Sequence, residues 1–293
     1  MSAAKPVVRV ACVQLPMHNV QSRDGFYAPV EQYVGIAAQY GCDFVLFPEM
    51  MTFPLVALIG HDPDATVDAL TEETPDFRAR MSAMAVRHKI NVIAGSHVTR
   101  DEGGIVRNIS YLCLRDGTVH AQQKLHPTPD EKSVWGIEGA RGLSVIDTDC
   151  GPVGTLICYD SEFPELGRKL ADDGARLVFV PFLTDTRAGT MRVRLCSQAR
   201  AIENQYYLAL AGSCGTLRGV LNVDIAYARS AIFTPCDLPF ARDGIAAEAE
   251  PNIEQIIFAD LDMAKLDRAR DAGAVRNLDD RRPDLYDTVW KGT

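Results

Sequence analysis

The sequence predicts an α/β protein in which two packed sheets carry helices on their outer faces. Two observations predict it. Short, continuously apolar runs such as "DFVLF" and "ARLVFVPF" fit strands covered on both faces. Segments with apolar residues at helical spacing lie between such runs, and the strands outnumber the helices.

From the N-terminus, Val7 to Leu15 is rich in β-branched residues and reads as a strand. Phe26 to Tyr40 places Val30, Tyr33, Val34, Ile36 and Ala37 at helical spacing, with Pro29 in its first turn and Gly41 ending it. Asp43 to Phe47 is a buried strand, Phe77 to His88 a helix and "INVIAGSH" a strand. "RNISYLCLRDGTVHAQQK" is a hairpin turning at Asp116-Gly117. "LSVIDTDCGPVGTLICYD" reads as two strands that turn between Asp149 and Pro152. Phe163 to Ala171 is a helix, "ARLVFVPF" a strand, and Met191 to Asn204 a longer helix. "YYLALAGSC", "SAIFTP" and "IEQIIFADLD" supply further strands. No linker, repeat or shift in composition divides the chain. Residues 1–293 therefore read as one domain, with a charged tail from Asp267 that wraps a surface or a partner subunit.

The 293 residues, 47% hydrophobic and 24% charged, suffice for a large core, since chains of this size bury about three quarters of their unfolded surface. A net charge of −9 argues against a general nucleic-acid binder, which presents a basic face. No apolar stretch approaches the roughly 20 residues that span a bilayer. The start, "MSAAKP", lacks the pattern of a secretory leader. None of the eight cysteines forms a CxxC pair. Reduced thiols and a cytoplasmic location are the expectation.

Parallel-strand C-termini are where α/β proteins place their sites. Glu49, Lys124, Cys158 and Cys214 all follow apolar or hairpin strands. Most free cysteines are small buried hydrophobes, and Cys12, Cys113 and Cys196 fall mid-strand or mid-helix accordingly. Cys158 differs. Its strand is followed at once by a helix start, with Asp160 or Ser161 as cap and Pro164 in the first turn. Such a turn exposes a thiol, brings helix N–H groups that favour a thiolate, and presents the Tyr159 N–H to an oxyanion. Glu49 lies among apolar residues in "LFPEMMTFPLVALI", where desolvation raises a carboxyl pKa toward that of a general base. By itself Lys124 reads as an exposed strand lysine. Glu131 and Glu138 sit in the loop beyond it.

In this order, "LFPEM" with Glu49, "HAQQK" with Lys124 and "ICYDSEFPEL" with Cys158 resemble the nitrilase superfamily of carbon–nitrogen hydrolases. "QARAIENQ" and "RRPDLY" are similar to later segments of that family. The subgroup resembled most includes members fused to an acetyltransferase domain, and none is read here. The resemblance implies a four-layer αββα sandwich of the nitrilase type that forms a homodimer or higher oligomer. It also implies hydrolysis of a small amide or carbamoyl compound, without metal or organic cofactor. Glu49 would be the base, Cys158 the nucleophile, Lys124 and the Tyr159 N–H the oxyanion donors, and Glu131 a second site glutamate. Phe182 and Glu162 are expected at the substrate. Tyr-Asp after the cysteine points to amides rather than nitriles. Two departures stand out: Gln122 replaces a tyrosine frequent in the family, and Ser161-Glu162 replaces an arginine used on acidic substrates. Glu162 would meet a positive substrate group or merely favour its own helix start. A scaffold with little turnover and an acyl transferase remain alternatives.

Overall fold

The computed structural model describes residues 5–58, 63–220 and 223–292. Residues 1–4 of the N-terminal "MSAAKP" considered above, Ile59 and Thr293 lie outside the described residues. The first half of the chain contains β1 (Val7–Met17), α1 (Arg23–Gln39), β2 (Phe44–Leu46), α2 (Pro63–His88), β3 (Asn91–Ile93), β4 (His97–Arg100), β5 (Val106–Cys113) and β6 (Val119–Gln123). Then come α3 (Pro129–Trp135), β7 (Ile146–Thr148), β8 (Gly151–Thr155), α4 (Pro164–Asp172), β9 (Leu177–Phe182), α5 (Arg187–Asn204) and β10 (Tyr207–Gly215). The last elements are β11 (Ala231–Phe233), β12 (Ile245–Glu248), β13 (Gln255–Asp262) and α6 (Met263–Ala272).

Helix α1 begins earlier than its apolar stripe because Ser22 caps it, accepting from the Gly25 N–H at 3.0 Å. Helix α2 starts far ahead of Phe77 and runs through Pro75. Proline marks an interruption in sequence, yet burial of Leu70, Phe77 and Met81 on one face holds the helix together across it. The expected strand "INVIAGSH" is broken into β3 and β4 by Gly95, whose φ is +54°. A Cβ there would stand 1.8 Å from the Pro48 carbonyl oxygen, so the close approach to the Glu49 segment requires glycine.

All 13 described strands belong to one curled sheet whose central path runs β4-β5-β3-β2-β1-β10-β9-β8-β7. Strand β1 is the hinge of the curl. Val10 to Cys12 pair in parallel with β2, Val7 to Gln14 pair with β13, and Leu15 to Met17 pair with β10. The two halves of the sheet then face each other. Val10, Phe44 and Leu46 from one half share a buried cluster with Leu177, Phe179 and Ala209 from the other, and the Phe44 and Phe179 ring centroids are 5.1 Å apart. Alternate residues point outward. Val13, Val45 and Val92 meet α1 and α2, while Val178, Val180 and Leu208 pack under α4 and α5. The four expected layers, helix, sheet, sheet and helix, are present.

The charged tail begins later than Asp267, because α6 buries Met263, Leu266 and Ala269 on one face. Beyond it the chain lies on α4, where the Arg281 guanidinium meets Asp172 at 2.6 and 3.1 Å. Among the described residues no helix is long and apolar enough to cross a membrane.

Candidate active site

Glu49 lies three residues past β2. Its segment is fixed by the loop between β3 and β4: Ser96 Oγ accepts from Met50 N at 2.9 Å, and Pro48 O accepts from Ser96 N at 3.2 Å. Lys124 follows β6, its N–H donating to Asn108 O at 2.8 Å. Glu131 belongs to a short helix rather than a loop. Thr128 and Glu131 form a reciprocal cap there, with Thr128 N donating to Glu131 Oε2 at 2.8 Å.

These three charges meet in the interior. Lys124 Nζ donates to Glu49 Oε1 at 2.8 Å and to Glu131 Oε2 at 2.5 Å. The Asn108 amide donates to both carboxylates, at 2.9 Å each. The Lys124 side chain is 1% exposed, so the snorkelling lysine suggested by its strand position is absent. Burial raises the Glu49 pKa, with Lys124 opposing and Glu131 adding to the rise. Burial works against the Lys124 charge, but Glu131, Glu49 and Cys158 outweigh it and hold the ammonium well above its ordinary value. Glu138, the other glutamate in this stretch, is exposed.

Cys158 sits where the chain leaves β8 and enters a 3-10 turn, Cys158–Glu162, ahead of α4. Its φ is +48°, a left-handed conformation that costs a non-glycine residue roughly 1–3 kcal/mol. Neither Asp160 nor Ser161 caps α4, whose N-cap is Phe163. The Ser161 hydroxyl instead donates back to Cys158 O at 2.7 Å. The thiol is not lowered by helix N–H groups as expected. Burial first, then the Glu49 charge, push it well above the ordinary thiol value, with Lys124 opposing. A neutral thiol needs a base. The backbone of one residue links the two: Leu183 N–H donates to Glu49 Oε2 at 2.9 Å, and Leu183 O accepts from Cys158 Sγ at 3.6 Å.

Glu49, Lys124, Glu131, Cys158, Tyr159 and Glu162 all line one cleft of about 500 Å³. Trp135, Leu183 and Val193 form its apolar walls. Phe182 does not line it: this fully buried ring packs in the core, where a Cβ on Gly212 would meet it at 2.2 Å. Leu183, one residue on, takes the place at the cleft. Glu162 faces a cation already, with Arg192 Nε of α5 at 3.7 Å. Gln122 is also outside the cleft, its amide tied to Gly142 O at 2.9 Å and its carbonyl to Ser144 N at 3.3 Å. The missing tyrosine at that position therefore leaves the cleft lining untouched. Cys214 lies elsewhere, with burial pushing its thiol up to about 11.

The carbon-nitrogen hydrolase family profile matches residues 9–271. The chain belongs to this family. Probable hydrolase YhcX of Bacillus subtilis is 46% identical over 285 residues, which are 97% of this chain but 55% of YhcX. The chain thus spans about half the length of that relative. Omega-amidase NIT3 of Saccharomyces cerevisiae is 35% identical over 225 residues, 71% of each chain. In fold, the chain is similar to a double mutant of the amidase from Nesterenkonia sp. AN1 in complex with acrylamide. The TM-score is 0.75 at 22% identity, over 97% of this chain and 98% of that one.

Proposed function

We propose that the chain hydrolyses the C–N bond of a small amide or carbamoyl compound through a thioester on Cys158. The observation that carries this reading is the pairing of a neutral, strained thiol with a buried carboxylate of raised pKa, both held by the backbone of Leu183. Glu49 takes the proton from Sγ as the sulfur attacks the carbonyl carbon. The oxyanion is met by Lys124 Nζ and the Tyr159 N–H, donors whose removal typically costs about 3 kcal/mol of barrier or more. The tetrahedral adduct collapses, the C–N bond breaks, and Glu49 returns its proton to the departing ammonia or amine. Glu49 then takes a proton from water, whose oxygen attacks the thioester; the C–S bond breaks, the acid leaves, and Glu49 returns the proton to the sulfur. Glu131 keeps Lys124 charged and in place. The cleft volume, about 500 Å³, suits a small molecule, and the amidase names of relatives support the substrate class.

Ammonia release from a panel of primary amides and carbamoyl compounds, spanning anionic, neutral and cationic side groups, tests the proposal. Release that disappears in Cys158→Ala is expected. A panel without turnover, together with a thiol inert to alkylation at neutral pH, would overturn it in favour of a binding or scaffold role.

A further inference from the structure

The Asp160 carboxylate is 1% exposed and is not among the residues that line the cleft, so it takes no part in the steps above. It is nevertheless saturated with donors from two separate segments. Oδ1 accepts from His126 N at 2.8 Å and from His126 Nδ1 at 3.0 Å. Oδ2 accepts from Leu125 N at 3.2 Å and from Ile157 N at 3.3 Å. Leu125 and His126 are the two residues after Lys124, and Ile157 is the residue before Cys158. One carboxylate thus binds the neighbours of both the candidate oxyanion cation and the candidate nucleophile.

The same residue closes the nucleophile turn. Asp160 N donates to Ile157 O at 3.0 Å while its carboxylate takes the Ile157 N–H, so both polar groups of Ile157 are held by Asp160. Cys158 lies inside that ring with φ at +48°. A left-handed cysteine persists only where its surroundings over-determine it, and this ring supplies the constraint. His126 stiffens the far side, its ring stacked on Phe163 at 3.8 Å with 12° between the planes.

We infer that Asp160 is a positioning residue which holds the strained Cys158 turn and fixes its distance from Lys124 by binding the backbone on both sides. The catalytic consequence rests on the proposed thioester reading; the effect on the turn does not. In Asp160→Asn one oxygen becomes an amide that faces backbone N–H donors, donor against donor. The turn relaxes, and the thiol loses its register with Lys124.

The test measures three quantities on Asp160→Asn and the parent chain: kcat and KM for a hydrolysed amide, the rate of Cys158 alkylation by iodoacetamide across pH, and Tm. The inference expects kcat to fall about a hundredfold, the cost of misplacing reacting groups by about 1 Å. KM should stay near its parent value, and the pH profile of alkylation should shift. Parent-like kcat and alkylation in a folded variant would overturn it, whatever the change in Tm. Parent turnover is read separately, so an inactive parent would refute the hydrolase reading while alkylation still judged Asp160. Should Asp160→Asn fail to fold, the same change is made in a Cys158→Gly background, where glycine removes the φ strain. Recovery of folding there supports the inference, and equal failure in both backgrounds assigns Asp160 a general structural role and overturns it.

Discussion

Strand β2 has a buried carboxylate near each end. Asp43, just ahead of it, accepts from Lys5 Nζ at 2.7 and 2.8 Å, from Arg9 N at 3.0 Å and from Arg115 Nη2 at 3.3 Å. Arg115 also pairs with Asp149 at 2.5 Å. Two acids there meet two bases, and Lys5, 46% exposed, keeps contact with water. At the other end, Glu49 and Glu131 share one lysine, and all three are sealed from solvent. The first arrangement is balanced and ties the chain together. The second carries one more negative than positive charge in a site where desolvation is costly. An imbalance of that kind raises the proton affinity of one carboxylate, which a stability-driven pairing has no need to do.

Removing the shared cation breaks the comparison most severely. Lys124→Met leaves two buried carboxylates without a cation, and breaking such a pair costs about 3–5 kcal/mol. Urea unfolding at pH 8 should show that loss, and it should shrink as acid protonates the carboxylates. Glu49→Gln removes the proposed base, and kcat should drop by roughly 10²–10⁴-fold. The parent also gives a signature in pH. The Glu49 pKa is raised above 4.5, so the acid limb of kcat/KM should lie above that value as the base is lost on acidification. The folded state holds this proton more tightly than the unfolded chain, so stability falls as pH rises from 4.5 through the raised value. Parallel melts should lose that slope in Glu49→Gln.

At the balanced end, Asp43→Asn should cost about 1.5–3 kcal/mol, the range for hydrogen bonds to charged groups, with kcat/KM unchanged. A loss of activity there would show that the two ends are coupled. The smallest effect is expected at Glu162, whose pairing with Arg192 is long and whose partner is largely exposed. Glu162→Gln should change KM by less than about fivefold, the limit set by exposed pairs of up to 1 kcal/mol.

Glu49, Lys124 and Cys158 were legible because each ends a recognisable strand, and Glu131 because it follows Lys124 at the family's spacing. What escaped did so for physical reasons. Strand β9 is buried along its whole length, so no alternation signals whether Phe182 or Leu183 turns to the cleft. The Leu183 contribution is a backbone group and has no side-chain signature. Asn108 did not stand out either, because β5 also carries Arg107 and Ser110. Arg192 was seen as part of a helix, but sequence does not say which cleft a helix borders. The direction of the Cys158 shift was misjudged because the helix start was weighed without the burial that dominates it. Strand β12, "IAAE", is too short and too poor in β-branched residues to be read. Helix α6 is disguised as tail by its charge.

The central claim is a covalent one, and intact-protein mass spectrometry tests it most directly. The chain is mixed with a hydrolysed amide, quenched in acid within milliseconds, and digested to locate any adduct. The account predicts a mass increase equal to the acyl group, on the peptide containing Cys158 and absent from Cys158→Ala. Turnover that survives Cys158→Ala would contradict it, as would an acyl group found on any other residue.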